Sequence, residues 1–185
     1  MLEMLDKKQK MVVYLEVAMV SAVAFALSYI PLQLLHTALD LSLGFIAIAI
    51  LAIRRGVLPA MLAGAICGML SILTGKAEFL TVVQVLMDYP VAFAFSGLVG
   101  IFSFQIKTKR QFTFWIFLAS FTGSLARWFW HFVTGVLFWG SYAPKGVSPW
   151  SYSLLMNGIS CFFNAMMLSF VLLFIMKKAE FLISH

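Results

Sequence analysis

The sequence has few charged residues and almost no cysteine. Only 11% of its 185 residues are charged and 63% are hydrophobic, whereas a soluble domain carries roughly a quarter charged residues. Such a chain cannot cover a water-facing surface, so we expect lipid to be its solvent. Cys67 and Cys161 lie in apolar runs without metal-ligand spacing. They predict two buried core thiols and indicate neither a disulfide framework nor a metal site.

Signatures of catalysis are also missing from the sequence. Gly75-Lys76 is followed by Ala77 and lacks the glycine five positions earlier that a phosphate-binding loop requires. No GxSxG elbow, HExxH helix or paired-glutamate membrane protease motif is present. We therefore expect no enzymatic activity, no cofactor and no energy source within the chain. An intramembrane enzyme that uses Asp88 and His131 as an acid–base pair remains an alternative.

Basic residues separate the apolar segments. Ten of the thirteen Lys and Arg residues form four clusters: Lys7, Lys8 and Lys10; Arg54 and Arg55; Lys107, Lys109 and Arg110; Lys177 and Lys178. The net charge of +6 therefore indicates the positive-inside bias of a membrane protein, and we expect no nucleic acid partner. With both termini in the cytoplasm, only Lys76 and Lys145 fall in outward segments, since Arg127 lies within a span.

The sequence contains six apolar segments, which we interpret as membrane spans. Their expected limits are about 11–30, 39–53, a third span with Pro59 in its first turn and an end near 73, 79–104, 112–139 and 152–176. The sequence thus predicts an all-α integral membrane protein, a six-transmembrane-helix bundle with cytoplasmic N- and C-termini and a single domain over residues 1–185. The outward loop 140–149 is a candidate lid.

Ionisable residues at membrane depth are costly, and each is a functional hypothesis. Asp40, Asp88 and Arg127 all belong to the outer half of the predicted bundle. Residues that share helix faces with them, or lie just beyond, are Gln84, His131, Gly135, Trp139, Tyr142, Trp150, Tyr152 and Asn157. Acidic, basic, amide and aromatic groups from at least three helices predict a small-molecule pocket. Carboxylates beside aromatic faces suit an organic cation.

Structural interpretations of the same residues stay open. Asp88 and Arg127 together are also typical of a purely structural interhelical pair. Tryptophans near helix ends, here Trp128, Trp130 and Trp150, are commonly interfacial anchors. His131 alone is typical of a hydrogen-bonded core histidine, and Glu78 of a solvated loop charge.

Two stripes of small residues are present. Ala18, Ala22 and Ala26 recur on the first predicted helix, and Ala60, Gly64 and Gly68 on the third. Such stripes let helices approach closely. They usually serve contacts within a bundle, and external docking is the alternative.

Several segments together resemble one family. They are 84–97 (QVLMDYPVAFAFSG), 127–135 (RWFWHFVTG), 142–146 (YAPKG) and 149–157 (PWSYSLLMN). The chain resembles the thiamine-specific substrate-binding subunits (S-components) of energy-coupling-factor (ECF) vitamin transporters. The likeness covers nearly the whole chain.

The resemblance implies a function and its partners. Such a subunit captures the vitamin from outside the bacterial cytoplasmic membrane, then associates with a transmembrane coupling protein and two ATPases that power its release inward. An S-component for another vitamin or precursor is the alternative. The stripe of Ala18, Ala22 and Ala26 corresponds to the coupling-protein contact.

The resemblance also implies roles for individual residues. Asp88 would bind the aminopyrimidine of thiamine and Trp139 would stack on it, while Tyr89, His131, Tyr152 and Asn157 complete a polar shell. Arg127 falls at a basic position of the pocket, and Gly135 lies in the same block. The chain departs from the family pattern at His36, where a tryptophan is expected, at Asp40 and Asp88, where glutamates are expected, and near Glu78, where a tyrosine is expected.

Overall fold

A computed structural model of the chain describes residues 6–30, 33–34, 39–108 and 111–178. It contains six helices: α1 Lys7–Leu27, α2 Leu43–Arg55, α3 Val57–Leu73, α4 Val82–Lys107, α5 Phe112–Leu137 and α6 Pro149–Lys178. A single 3-10 turn, Gly140–Tyr142, follows α5. Between α1 and α2, the two-residue strands β1 Gln33–Leu34 and β2 Leu39–Asp40 pair antiparallel.

The predicted membrane bundle of six helices is confirmed. By length and composition, the segments Lys7–Leu27, Val82–Lys107 and Pro149–Ile175 can each cross a bilayer, and Val57–Leu73 is a shorter apolar helix. Helix α5 has 26 residues but carries Arg127 and His131, which lower its hydropathy. Helix α5 thus places two ionisable side chains within a largely apolar segment.

Several predicted helix ends were wrong by a few residues. Helix α1 begins at Lys7 because Asp6 caps it: the Gln9 amide donates to Asp6 Oδ1 at 2.7 Å, and the Asp6 amide donates to Gln9 Oε1 at 3.2 Å. Asp40 does not begin the second helix, because its backbone belongs to β2. His36 lies outside the described residues.

The end of the bundle at which α2 meets α3 is held by an ion cluster. Arg54 and Arg55 occupy the last turn of α2, where cations complement the helix dipole. Glu16 of α1 accepts from Arg55 Nε at 2.7 Å and from Arg54 Nη2 at 3.1 Å. Gly56, at φ 86°, then turns the chain into α3.

Helix α4 is not a regular α-helix. It passes from Val82–Leu86 through a π-helical turn, Met87–Val91, and a short α-helical segment, Ala92–Phe95, to a 3-10 stretch, Ser96–Phe102, and ends as α-helix in Ser103–Lys107. Pro90 lies inside the π-helical turn. It has no N–H for the helical ladder, which accounts for the local rearrangement.

The two small-residue stripes have different environments. Gly64 packs against the backbone at Phe93, and a Cβ added at Gly68 would fall 2.6 Å from Pro90 N, so the stripe of α3 serves close contact with α4. Ala18, Ala22 and Ala26 instead lie exposed on α1. Only the α3 stripe is therefore used inside the described bundle.

Candidate substrate-binding site

A cavity of about 400 Å³ lies between α4, α5 and α6. Its volume is in the range of small-molecule sites, roughly 300–1,000 Å³. Ten residues that the sequence indicated for the pocket line it: Glu78, Gln84, Asp88, Tyr89, Arg127, His131, Gly135, Trp139, Tyr152 and Asn157. The predicted convergence of polar and aromatic groups from three helices is therefore present in the fold.

Asp88 is the polar centre of this cavity. Its carboxylate is buried and accepts from Gln84 Nε2 at 2.8 Å and from Trp139 Nε1 at 3.4 Å, both on Oδ2. On Oδ1 it meets His131 Nδ1 at 3.1 Å and the hydroxyl of Thr134. These hydrogen bonds compensate for the water that the buried charge has lost.

Among the described residues, Arg127 is joined to Asp88 through His131. Its Nε donates to His131 Nε2 at 3.3 Å, its Nη1 donates to Ser42 Oγ at 2.9 Å, and its guanidinium carbon lies 4.3 Å from the centre of the Phe93 ring. The direct Asp88–Arg127 pair considered from the sequence is thus replaced by a chain of three groups. The imidazole stands between the two charges.

The π-helical turn directs two consecutive residues into the cavity. Asp88 and Tyr89 both line it, although neighbours in a regular α-helix point about 100° apart. The Tyr89 hydroxyl accepts from the Glu78 amide at 2.9 Å, and Gln84 Nε2 donates to the Glu78 carbonyl at 3.2 Å. The backbone of Glu78 is thereby fixed at the cavity edge, and the side chain is exposed.

Gly135 lets α6 approach α5. A Cβ at this position would overlap Ser153 Oγ and lie 3.1 Å from Asn157 Nδ2. Ser153 Oγ donates to the Phe132 carbonyl at 2.9 Å, and Asn157 Nδ2 donates to the Ser153 carbonyl at 3.1 Å. The space that Gly135 leaves is therefore taken by the neighbouring helix, which brings Asn157 to the cavity.

One expectation about the cavity wall needs correction. Cys161 is not a buried core thiol, because it is half-buried and lines the cavity, while Cys67 is buried as predicted. Among the described residues, the lining includes none of the loop 140–149. The role of that loop as a lid thus remains a prediction.

Sequence reasoning missed some lining residues. The Thr134 hydroxyl donates a hydrogen bond to Asp88, and the Arg127 guanidinium lies over the Phe93 ring. Thr134 lies seven residues after Arg127, so the same helical stripe that selected His131 could have identified it. Trp128, interpreted as an interfacial anchor, lines the cavity and stacks on Phe132 at 5.2 Å, whereas Trp150 is 64% exposed, as an anchor would be.

Known proteins with similar sequences and folds are thiamine transporters. The family described as "Thiamine transporter protein (Thia_YuaJ)" matches residues 14–184. The thiamine transporter ThiT of Lacticaseibacillus paracasei is 39% identical over 172 residues, covering 88% of this chain and 86% of the relative. ThiT of Bacillus subtilis is 32% identical over 161 residues, covering 83% and 84%.

A solved structure gives the same result for the fold. ThiT from Listeria monocytogenes superimposes with a TM-score of 0.91 at 36% identity, covering 96% of this chain and all of that one. The family resemblance seen in the sequence segments is thereby confirmed. The chain belongs to the thiamine transporter protein family.

Proposed function

We propose that this chain binds thiamine from the outside as the substrate-binding subunit of an ECF-type uptake transporter. The observation that carries the proposal is the cavity centred on Asp88, which joins a buried carboxylate to aromatic and amide groups. Family membership supports the identity of the vitamin, since the relatives are named as thiamine transporters. Their name also favours transport over the enzymatic alternative.

The chemistry of thiamine fits these groups. Its aminopyrimidine carries an exocyclic amine that can donate to the Asp88 carboxylate, and a hydrogen bond to a charged group is worth about 1.5–3 kcal/mol. The Trp139 bond to Asp88, at 3.4 Å, is the longest of the four and the easiest to displace. Trp139 then offers its ring face for stacking.

The thiazolium ring of thiamine is a cation. The carboxylates lining the cavity belong to Glu78 and Asp88, and the guanidinium to Arg127. The thiazolium beside a tryptophan or tyrosine face would gain about 0.5–2 kcal/mol of binding free energy from the cation–π interaction. We assign the remaining polar contacts to Tyr89, His131, Tyr152 and Asn157, and further contacts at the outer edge to His36 and Asp40.

We also propose the partners and the setting. The exposed stripe of Ala18, Ala22 and Ala26 would dock on the transmembrane coupling protein, which joins two ATPase subunits. The protein would reside in the bacterial cytoplasmic membrane with both termini in the cytoplasm. Residues 1–185 would form one domain. The basic clusters at the predicted inner ends support this orientation.

Tryptophan fluorescence of the detergent-purified chain tests the proposal. Thiamine should quench the emission saturably, because stacking places it against Trp139. Trp139→Ala should remove the quenching and weaken binding. Trp150→Ala is the matched control, since Trp150 is 64% exposed and does not line the cavity; it should keep the response.

Other outcomes would redirect the proposal. A response to riboflavin or biotin, with none to thiamine, would indicate an S-component for another vitamin. Chemical turnover of a bound ligand would indicate the intramembrane enzyme. Quenching that survives Trp139→Ala unchanged would contradict the assigned stacking.

A further inference from the structure

The contacts of His131 determine which of its ring nitrogens carries the proton. Arg127 has no accessible deprotonated form, so its Nε–H acts only as a donor. This N–H points at His131 Nε2 at 3.3 Å. The nitrogen that accepts it must present a lone pair, and the ring proton therefore belongs on Nδ1.

The other side of the imidazole agrees with this assignment. His131 Nδ1 lies 3.1 Å from Asp88 Oδ1, and a carboxylate oxygen accepts hydrogen bonds. Arg127 and Asp88 therefore both favour the Nδ1–H tautomer of His131. Arg127 and His131 are four residues apart on α5, which places them on one face.

We propose that Arg127 is a positioning residue that acts through His131. Its hydrogen bond to Nε2 fixes the orientation of the imidazole, whose Nδ1–H tautomer Arg127 and Asp88 favour together, so that this proton points at Asp88. The orientation of the Asp88 carboxylate toward the ligand therefore depends on the Arg127–His131 hydrogen bond. The inference deepens the proposed function, because its effect on affinity is measured with thiamine.

The guanidinium is itself held in place from two sides. Its Nη1 donates to Ser42 Oγ at 2.9 Å, and its carbon lies 4.3 Å from the centre of the Phe93 ring. The amide of Ser42 in turn donates to Asn164 Oδ1 of α6 at 2.9 Å. Ser42 at the N-cap of α2, Phe93 of α4 and Asn164 of α6 therefore fix the donor that orients the imidazole.

Nitrogen-15 NMR of the full-length, histidine-labelled protein tests the tautomer without any ligand. The chain has three histidines, and His36→Gln and His185→Gln each remove one set of signals, which leaves that of His131. We expect a protonated Nδ1 and an unprotonated, hydrogen-bonded Nε2. A proton on Nε2 in the wild-type protein would overturn the proposal.

Arg127→Met tests whether Arg127 supplies the bond. The Nε2 signal should move downfield as that nitrogen loses its donor, while Nδ1 stays protonated against Asp88. Arg127→Lys, which retains a donor, should move the signal back toward the wild-type position. An Nε2 signal unmoved in Arg127→Met would overturn the proposal. Lys145→Met, in the outward loop, is the control for loss of a positive charge.

Thiamine affinity supplies the second measurement. Arg127→Met should weaken binding about tenfold, the effect of one hydrogen bond to a charged group. In a double-mutant cycle with His131→Asn, which removes the Nε2 acceptor, the two losses should not add. Additive losses would mean that Arg127 acts on the ligand directly, against the proposal. If wild-type protein fails to bind thiamine, the proposed function falls, while the tautomer measurement still decides the role of Arg127.

Discussion

At the scale of single residues, Asp88 places a buried carboxylate at the cavity. Gln84, His131, Thr134 and Trp139 all direct polar atoms at its two oxygens. A charge so surrounded is stabilised before any ligand arrives, and it stays an acceptor for a further donor. A neutral side chain of the same size cannot play this part, because the surrounding donors would lack a strong acceptor.

Asp88→Asn should weaken thiamine binding by about 10- to 100-fold, the equivalent of losing a hydrogen bond to a charged group. The new amide would also point N–H groups at neighbouring donors. Isothermal titration of the detergent-purified variant measures the change. Asp6→Asn, at the exposed cap of α1, is the matched control and should bind as the wild type does. Unchanged affinity in Asp88→Asn would remove Asp88 from the proposed site.

The depth of Asp88 and its neighbour Gln84 on the same helix were predictable from the sequence, but its direct partner on α5 was not. Its burial cost and its shared helix face with Gln84 follow from position along a helix. The choice of His131 over Arg127 as its direct partner does not, because that depends on how far α4 and α5 stand apart. The same limit explains Cys161, whose exposure to the cavity is set by the rotation of α6.

At the scale of elements, the close contact of α3 and α4 supports the site. Gly68 lies against the backbone of Tyr89 and Pro90, within the π-helical turn that carries Asp88. A side chain at Gly68 would press on backbone atoms, which cannot rotate away as a side chain can. The geometry of the proposed binding residues Asp88 and Tyr89 therefore depends on a glycine that does not line the cavity.

Gly68→Ala should lower both thermal stability and thiamine affinity. Overpacking of this kind costs about 1–3 kcal/mol, and the displaced turn would move Asp88 and Tyr89. Thermal unfolding followed by fluorescence and a thiamine titration measure the two effects. Gly158→Ala is the matched control, because the nearest neighbouring atom to its added Cβ is 4.0 Å away. Equal behaviour of the two variants would contradict this role of Gly68.

The helices themselves were predictable, and several of their ends were not. Apolar runs between basic clusters predict six spans without any tertiary information. The strand pair that contains Asp40 and the π-helical turn at Pro90 arise from local hydrogen bonding that composition does not reveal. The start of α1 at Lys7 could have been predicted, since Asp6 and Gln9 have the spacing of a capping box.

At the scale of the whole molecule, α1 has two different faces. Val13, Val17, Ser21 and Ala24 are buried in the bundle. The other side exposes Met19 and Val23 together with the alanines of the stripe. An apolar face lies in contact with lipid until a partner covers it, and small side chains let that partner approach closely.

Ala22→Trp should prevent assembly with the coupling protein and leave thiamine binding unchanged. The bulky ring would hold the partner away from the α1 backbone, on the side opposite the buried residues. Co-purification with the tagged coupling protein and ATPases, beside a thiamine titration, measures both properties. Leu155→Trp, at an exposed position of α6, should assemble normally. Normal assembly of Ala22→Trp would place the docking surface elsewhere.

The orientation in the membrane is testable by labelling. A cysteine at Lys145 should react with a membrane-impermeant maleimide in intact cells. One at Lys177 should react only after permeabilisation, because the basic clusters are expected to stay inside. The wild-type protein reports any background from Cys67 and Cys161. The reverse pattern would invert the proposed topology.

The glycines divide the bundle into a stiff part and an adjustable part. Gly64, Gly68 and Gly97 bring main chain against main chain between α3 and α4, whereas Gly135 brings α5 against the side chains of Ser153 and Asn157. Main-chain atoms have no rotamers, so a contact between two main chains cannot adjust by a change of side-chain conformation. Vitamins of different shape would thus be accommodated by adjustment of α6, and variants with altered ligand preference should be sought there first.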